Sequence, residues 1–246
     1  MSARSALLLA ALVFLFTLLI RLPASVLLAH LPGALRCTGA SGTIWRGSCG
    51  VLTFGPRSVS EVSWTLHPGA LLRARIALNL ASADPAATGQ AYLEWRPGGE
   101  LLIEHLAATL APPQVATLLP PGWSASMQLA IERARARAGH LLALNGRLQL
   151  QQLHTPRTAL GSFELAFTPA AGADPPADAP MQGTLRDLEG PLSLRGVLRL
   201  TTEGSYELSG KVAAHEDASP ALQQLLALLG PVDADGAHEL SFAGTL

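Results

Sequence analysis

The sequence predicts a mainly β protein: an N-terminal transmembrane helix followed by an extended, curled antiparallel β-sheet with two short capping helices. Three observations lead there. An uncharged, mostly apolar run lies near the N-terminus, apolar residues beyond position 40 recur with a period of two, and only two later segments combine helical spacing with capping residues.

Composition narrows the function classes. Of 246 residues, 49% are hydrophobic and 14% charged, and the mean hydropathy is +0.31, more apolar and less charged than an ordinary soluble domain. The length suffices to bury a sizeable core. The net charge is -1 and Lys211 is the one lysine, which leaves no electrostatic footprint for nucleic acid. Two cysteines exclude a disulfide-dense mini-protein. The charge is uneven: residues 1–60 hold five arginines and no acid, so the remainder sets twelve basic residues against 18 acids.

Between Arg4 and Arg21 runs SALLLAALVFLFTLLI, and after Arg21 the apolar stretch resumes as LPASVLLA up to His30. At about 1.5 Å per helical residue, the first run falls short of a hydrocarbon core of about 30 Å, whereas Ser5 to Ala29 spans it with tilt or a kink at Pro23. Arg21 then snorkels or sits at an interface. A cleaved signal peptide shares the basic start and apolar stretch, but Leu22-Pro23-Ala24 and Leu27-Leu28-Ala29 are poor cleavage sites. The expected organisation is 1–4 in the cytoplasm, 5–29 as the anchor and 30–246 as an exported β domain. Arginines on both sides of the span leave only Arg4 and the terminal amine to favour a cytoplasmic start.

Cys37 and Cys49 flank a Gly-rich, turn-like stretch, CTGASGTIWRGSC, in which opposed strands would bring them together. In an oxidising compartment a disulfide closes this loop. Two buried free thiols are the alternative; a metal site lacks a C-x-x-C and a nearby histidine pair.

Strand periodicity follows in Ile76, Leu78, Leu80; Met127, Leu129, Ile131; Leu148, Leu150; Phe163, Leu165, Phe167; Leu194 to Leu200; and Tyr206 to Val212, the pattern of an antiparallel sheet with one face buried. Turns are predicted at Pro97-Gly98-Gly99, Asn145-Gly146, Glu203-Gly204 and Asp235-Gly236, and a mobile loop at 169–180. In SPALQQLLALLGP, Ser219 is the N-cap, Pro220 the first helical residue, Leu222, Leu225, Leu226 and Leu229 one face, and Gly230-Pro231 the stop. A shorter helix, PQVATLLP, carries Val115, Leu118 and Leu119. Each follows a hairpin with a Gly turn, which reads as two related hairpin-helix halves or simply as a meander with two short helices.

No catalytic constellation emerges. Seven histidines are scattered, without an H-E-x-x-H, a G-x-S-x-G elbow or a P-loop. The pairs Glu104-His105, His215-Glu216 and His238-Glu239 point to opposite faces of a strand and read as solvated surface groups. Arg133, Arg135 and Arg137, spaced by alanines, line one strand face as a basic stripe for acidic headgroups or an acidic partner, or as a solvated outer face. No catalytic, cofactor-binding or metal-ligating residues are predicted.

The order of apolar anchor, LRCTGASGTIWRG (Leu35 to Gly47) and VSWTLHPGALLRARIALNL (Val62 to Leu80) resembles the protein N family of bacterial type II secretion systems. Its box just beyond the anchor is matched by Ser41, Gly42, Thr43, Ile44, Trp45 and Gly47, and its tryptophan-centred strand by Trp64, with Pro68 and Leu71-Leu72 after it. The C-terminal GPLSLRGVLRLTTEGSYELSGKVAA, the helix SPALQQLLALLG and the closing ELSFAGTL are also similar to that family. The cysteine pair departs from the general pattern. The resemblance implies a bitopic inner-membrane accessory subunit, its bulk in the periplasm, with no chemistry of its own. Its implied partners are the outer-membrane secretin and the inner-membrane platform of a machine exporting folded proteins. The box is also similar to AsmA-like proteins, which implies the alternative of a β-groove shielding or transferring lipid acyl chains.

Overall fold

The computed structural model describes residues 13–14, 17–18, 20–28, 35–55, 57–168, 180–216 and 218–245. About half of the expected anchor (Ser5 to Ala29) and all of the expected loop at 169–180 except Pro180 fall outside them. Among the described residues no helix is long and apolar enough to cross a membrane. The chain divides into two units, with the boundary after Asp84.

The first unit holds α1 (Ala24–Leu28), β1 (Leu35–Gly42), β2 (Arg46–Phe54), β3 (Arg57–Leu66), α2 (Pro68–Leu71) and β4 (Ile76–Asp84). Consecutive strands pair antiparallel, with Gly47 opposite Trp64 and Trp64 opposite Leu80. Cys49, Val62 and Ala77 are buried.

The second unit holds β5 (Ala87–Arg96), β6 (Glu100–Leu110), α3 (Pro112–Val115), β7 (Ser124–Arg137), β8 (His140–His154), β9 (Ala159–Phe167), β10 (Met181–Glu189), β11 (Leu192–Leu200), β12 (Ser205–Ala214), α4 (Pro220–Ala227) and β13 (His238–Thr245). Again each strand pairs antiparallel with the next. Leu148 lies opposite Leu165 and Leu165 opposite Leu185, while one step along, Gln149, Glu164 and Arg186 form a polar row. Successive side chains on a strand point to opposite faces, so this register produces one apolar and one polar face.

The apolar face is sealed at one end by the helices. Val115 of α3 and Leu222 of α4 are both 0% exposed and join Ala125, Leu153, Leu160, Leu192, Val212 and Leu226 in one cluster. A second cluster at the other end gathers Phe167, Met181 and Leu200, with Leu198 and Tyr206 packed against them. The start of α4 follows the predicted cap: Ser219 Oγ accepts from the Leu222 N–H at 3.3 Å, and Pro220 occupies the first turn.

Four details depart from the sequence reading. Asn145-Gly146 is no turn but lies inside β8. The hairpin reverses instead at Ala138-Gly139, where φ is 51° and 85°, the two positive values a two-residue hairpin turn demands. Gly146 serves the strand, since a Cβ there would stand 2.6 Å from Ile131 Cα. The helix predicted over Pro113 to Pro120 is only four residues long, and Leu118 is exposed. On α4, Leu222 and Leu226 are buried while Leu225 and Leu229 stay outside, because the helix rests on the sheet through a narrow stripe. His238 is buried rather than solvated: its Nδ1 pairs with the Gly230 carbonyl at 2.8 Å, closing the loop between α4 and β13.

Leu222→Ala removes the side chain that both the helix and the sheet enclose. It should cost about 2–5 kcal/mol in denaturant unfolding, whereas Leu228→Ala, at a position 84% exposed, should stay within about 0.5 kcal/mol.

Candidate functional site

The box residues form the corner between β1 and β2. Thr43 N–H donates to the Arg46 carbonyl at 2.8 Å, and Arg46 N–H donates to Thr43 Oγ1 at 3.2 Å. Gly42 takes φ 85°, and a Cβ there would meet the Arg46 carbonyl oxygen at 2.5 Å, so the turn requires glycine. Below it, Ser41 and Ser48 hydroxyls pair at 2.8 Å. The Trp64 indole lies directly over Gly47, where any side chain would collide with it. Its Nε1–H donates to the Ile44 carbonyl at 3.2 Å. Trp45 accepts the Leu66 N–H at its carbonyl, 2.8 Å away. The corner also receives the N-terminal segment: Ile44 N–H donates to the Leu22 carbonyl at 3.0 Å, and Pro23 bridges to Thr43. The box is therefore a structural seat, holding the incoming chain against the first hairpin.

Cys37 and Cys49 are joined by a disulfide that ties β1 to β2, with Cα atoms 5.8 Å apart and a separation of 12 residues. Gly39 and Gly50 face each other beside the bridge, and their bare backbones let the strands approach.

The arginine stripe lies in the second unit beside carboxylates of its own chain. Register sets Arg133 opposite Glu104 and Arg137 opposite Glu100. Arg133 Nε reaches Glu104 Oε1 at 3.0 Å, and Arg137 Nη2 reaches Glu100 Oε2 at 3.7 Å. Arg135 sits between them, opposite Leu102. On β5 the buried Glu94 accepts from Tyr92 Oη at 3.1 Å and from Arg96 Nε at 2.6 Å. That hydrogen bond, with further charge from Glu100 and Glu104, raises the Arg96 pKa.

Two further polar centres were not singled out in the sequence. Glu164, buried mid-sheet, accepts from Gln149 Nε2 at 2.8 Å and from Arg186 Nε and Nη2 at 2.8 and 2.5 Å. The Gln149 hydrogen bond holds its carboxyl below the usual range; burial opposes that shift and the Arg186 contacts add to it. At the turn before β13, Lys211 Nζ meets Asp233 Oδ2 at 2.5 Å. Asp233 Oδ1 accepts the N–H groups of Asp235 and Ala237, both at 2.9 Å. The lysine contact first, then these backbone donors, lower Asp233 to about 2. Parity alone puts Gln149, Glu164 and Arg186 on polar faces, but only the strand register brings them together.

Among the described residues, no group of three or more His, Cys, Asp or Glu side chains is placed to hold a metal ion. Several charged side chains among the described residues are engaged in internal pairs. Apolar side chains stand outside on α4 (Leu225, Leu228, Leu229), at Val232 and at Phe242 of β13, which is 52% exposed.

Residues 33–241, from before the box to the first half of β13, match the family model described as type II secretion system (T2SS), protein N. The chain belongs to the type II secretion system protein N family. It is similar to the type II secretion system protein N of Pectobacterium carotovorum subsp. carotovorum, at 26% identity over 238 residues, covering 91% of this chain and 90% of that protein. The Aeromonas hydrophila protein N is 25% identical over 241 residues, covering 93% of each. No solved structure matches the chain. Membership in this family supports a role accessory to secretion.

Two outcomes test the site. Replacing Cys37 and Cys49 by serine should lower stability by about 3 kcal/mol, the chain-entropy value for so short a loop, read by denaturant unfolding with and without reductant. Because the Glu164 carboxyl is depressed in the fold, its contribution is full above the unfolded carboxylate value of about 4.3 and is lost as pH falls below it. Gln149→Leu should raise the Glu164 pKa in an NMR titration and flatten the loss of stability below that pH.

Proposed function

We propose that this chain is a non-enzymatic scaffold subunit of the type II secretion system. In this reading it is anchored once in the inner membrane through residues 5–29, and its β domain works in the periplasm. Its work is binding: it supports export of folded proteins by docking the periplasmic part of the outer-membrane secretin or the inner-membrane platform. One observation carries the reading beyond family membership. Several charged groups of the second unit pair internally, as in Glu164 with Arg186, Glu104 with Arg133 and Asp233 with Lys211, whereas large apolar side chains stay exposed beside the last strand.

Strand β13 ends the order of its unit and carries Phe242 in the open. An extended segment of a partner would add to the edge of β13 beyond His238, which Val232 bridges, through main-chain hydrogen bonds while Phe242 fills an apolar pocket. The disulfide fits an oxidising compartment such as the periplasm.

Purification of the full chain from detergent-solubilised membranes tests this. Secretin or platform subunits should co-purify, and Phe242→Asp should deplete them without altering the unfolding transition. Phospholipid co-eluting with no secretion partner would overturn the proposal in favour of an acyl-chain-binding groove.

A further inference from the structure

The tip formed by α2 and the turn after it projects from the first unit. Leu72 is 91% exposed, and Leu71 and Ile76 beside it are also exposed. The turn is well built: Ala74 N–H donates to Leu71 O at 2.9 Å and Arg75 N–H to Ala70 O at 3.1 Å. Ala74 adopts φ 54°, a left-handed value that costs a non-glycine residue energy. One exposed leucine is ordinary, but three apolar side chains grouped on a turn of fixed geometry mark an interaction surface.

Topology says which way it points. Strand β1 runs toward the box corner, β2 away, β3 back again and β4 away, so the box corner and the α2 tip share one end of this sheet. The Leu66 N–H bond to the Trp45 carbonyl ties the two directly. The N-terminal segment reaches the same end, through Leu22 to Ile44 and Pro23 to Thr43. Upstream of it, Val13, Phe14, Leu18 and Ile20 are helical, apolar and exposed. Charge adds to this. Arg21, Arg46, Arg73 and Arg75 lie at this end and Arg36 and Arg57 at the other, while the unit's two acids lie away from the tip: Glu61 within β3, and Asp84 at the far end, accepting the Ser60 N–H at 2.7 Å.

We infer that the α2 tip is a membrane-interface wedge: Leu71, Leu72 and Ile76 insert among the acyl chains of a phospholipid surface while Arg73, with Arg21 and Arg46, meets its anionic headgroups. Exposed leucines ringed by arginines, on the side where an apolar helix arrives, match the interfacial layer of an anionic bilayer in both chemistry and order. The wedge gives the first unit a second attachment besides its N-terminal helix and so fixes the sheet's orientation on the membrane. The inference rests on the anchored reading above.

The test uses the full chain reconstituted into vesicles of phosphatidylethanolamine and phosphatidylglycerol, with an environment-sensitive fluorophore on Leu72→Cys or, as control, on Arg57→Cys at the opposite end of the sheet. The disulfide-bonded native cysteines leave the new thiol as the labelled one. Emission at 72 should shift to the blue and be quenched by lipid-borne nitroxide, with no such change at 57. Arg73→Ala should lower the ratio of inserted to free tip about fivefold, the effect of one basic residue at an anionic surface, and purely zwitterionic vesicles should lower it further. A water-exposed probe at 72 in chains that resist alkaline carbonate extraction overturns the wedge and leaves the anchor standing. Extraction of the chain by carbonate overturns both.

Discussion

An antiparallel meander has one face that must leave water and no second sheet to cover it, and this constraint governs the second unit. The cover comes from the chain itself. Val115 and Leu222, on two short helices more than a hundred residues apart in sequence, meet in one cluster with residues of β7, β8, β9, β11 and β12. Neither helix is long enough to be stable alone, so each exists because its buried stripe is paid for by contact with the sheet. The stripe is narrow, which is why α4 buries Leu222 and Leu226 and leaves Leu225, Leu228 and Leu229 in solvent.

The opposite face solves a different problem. Fixed register lines carboxylates up with arginines across neighbouring strands, and a charge partly removed from water needs such a partner. Glu164 is the clearest case, buried yet satisfied by Gln149 on one side and Arg186 on the other. Arg133 and Arg137 of β7 are answered by Glu104 and Glu100 on β6. These pairs help hold strands in register, while apolar side chains stand exposed at an edge, on a helix and at a turn.

Close approach between strands depends on glycine under an aromatic ring. Trp64 covers Gly47, Phe167 covers Gly183 and Tyr206 covers Gly244, each a directly opposed cross-strand pair. The ring restores the packing and shields the backbone that the glycine leaves bare. In the family box this pairing has a further effect. With the indole over Gly47 and bonded to Ile44, the corner is rigid enough to seat the segment that arrives from the N-terminus.

Local rules made much of this legible in the residues. Period-two runs mark β4, β7 to β9, β11 and β12; Ser219-Pro220 marks the start of α4; Gly98, Gly204 and Gly236 mark turns; and the box with Trp64 marks the family. These follow from backbone and side-chain preferences that act within a few positions. Register does not, because it is set by which strands meet and how far each is offset. So Asn145-Gly146, a good turn in isolation, became strand once Gly146 was needed against Ile131, and Ala138-Gly139 took the turn. The pairing of Arg133 with Glu104, the enclosure of Glu164, the burial of His238 against Gly230 and the shared end of the box and the α2 tip likewise appear only when distant segments are placed side by side. The sequence determined which faces are apolar and where most of the marked turns fall, and the tertiary structure decided register, which charges are answered and which apolar groups stay in the open.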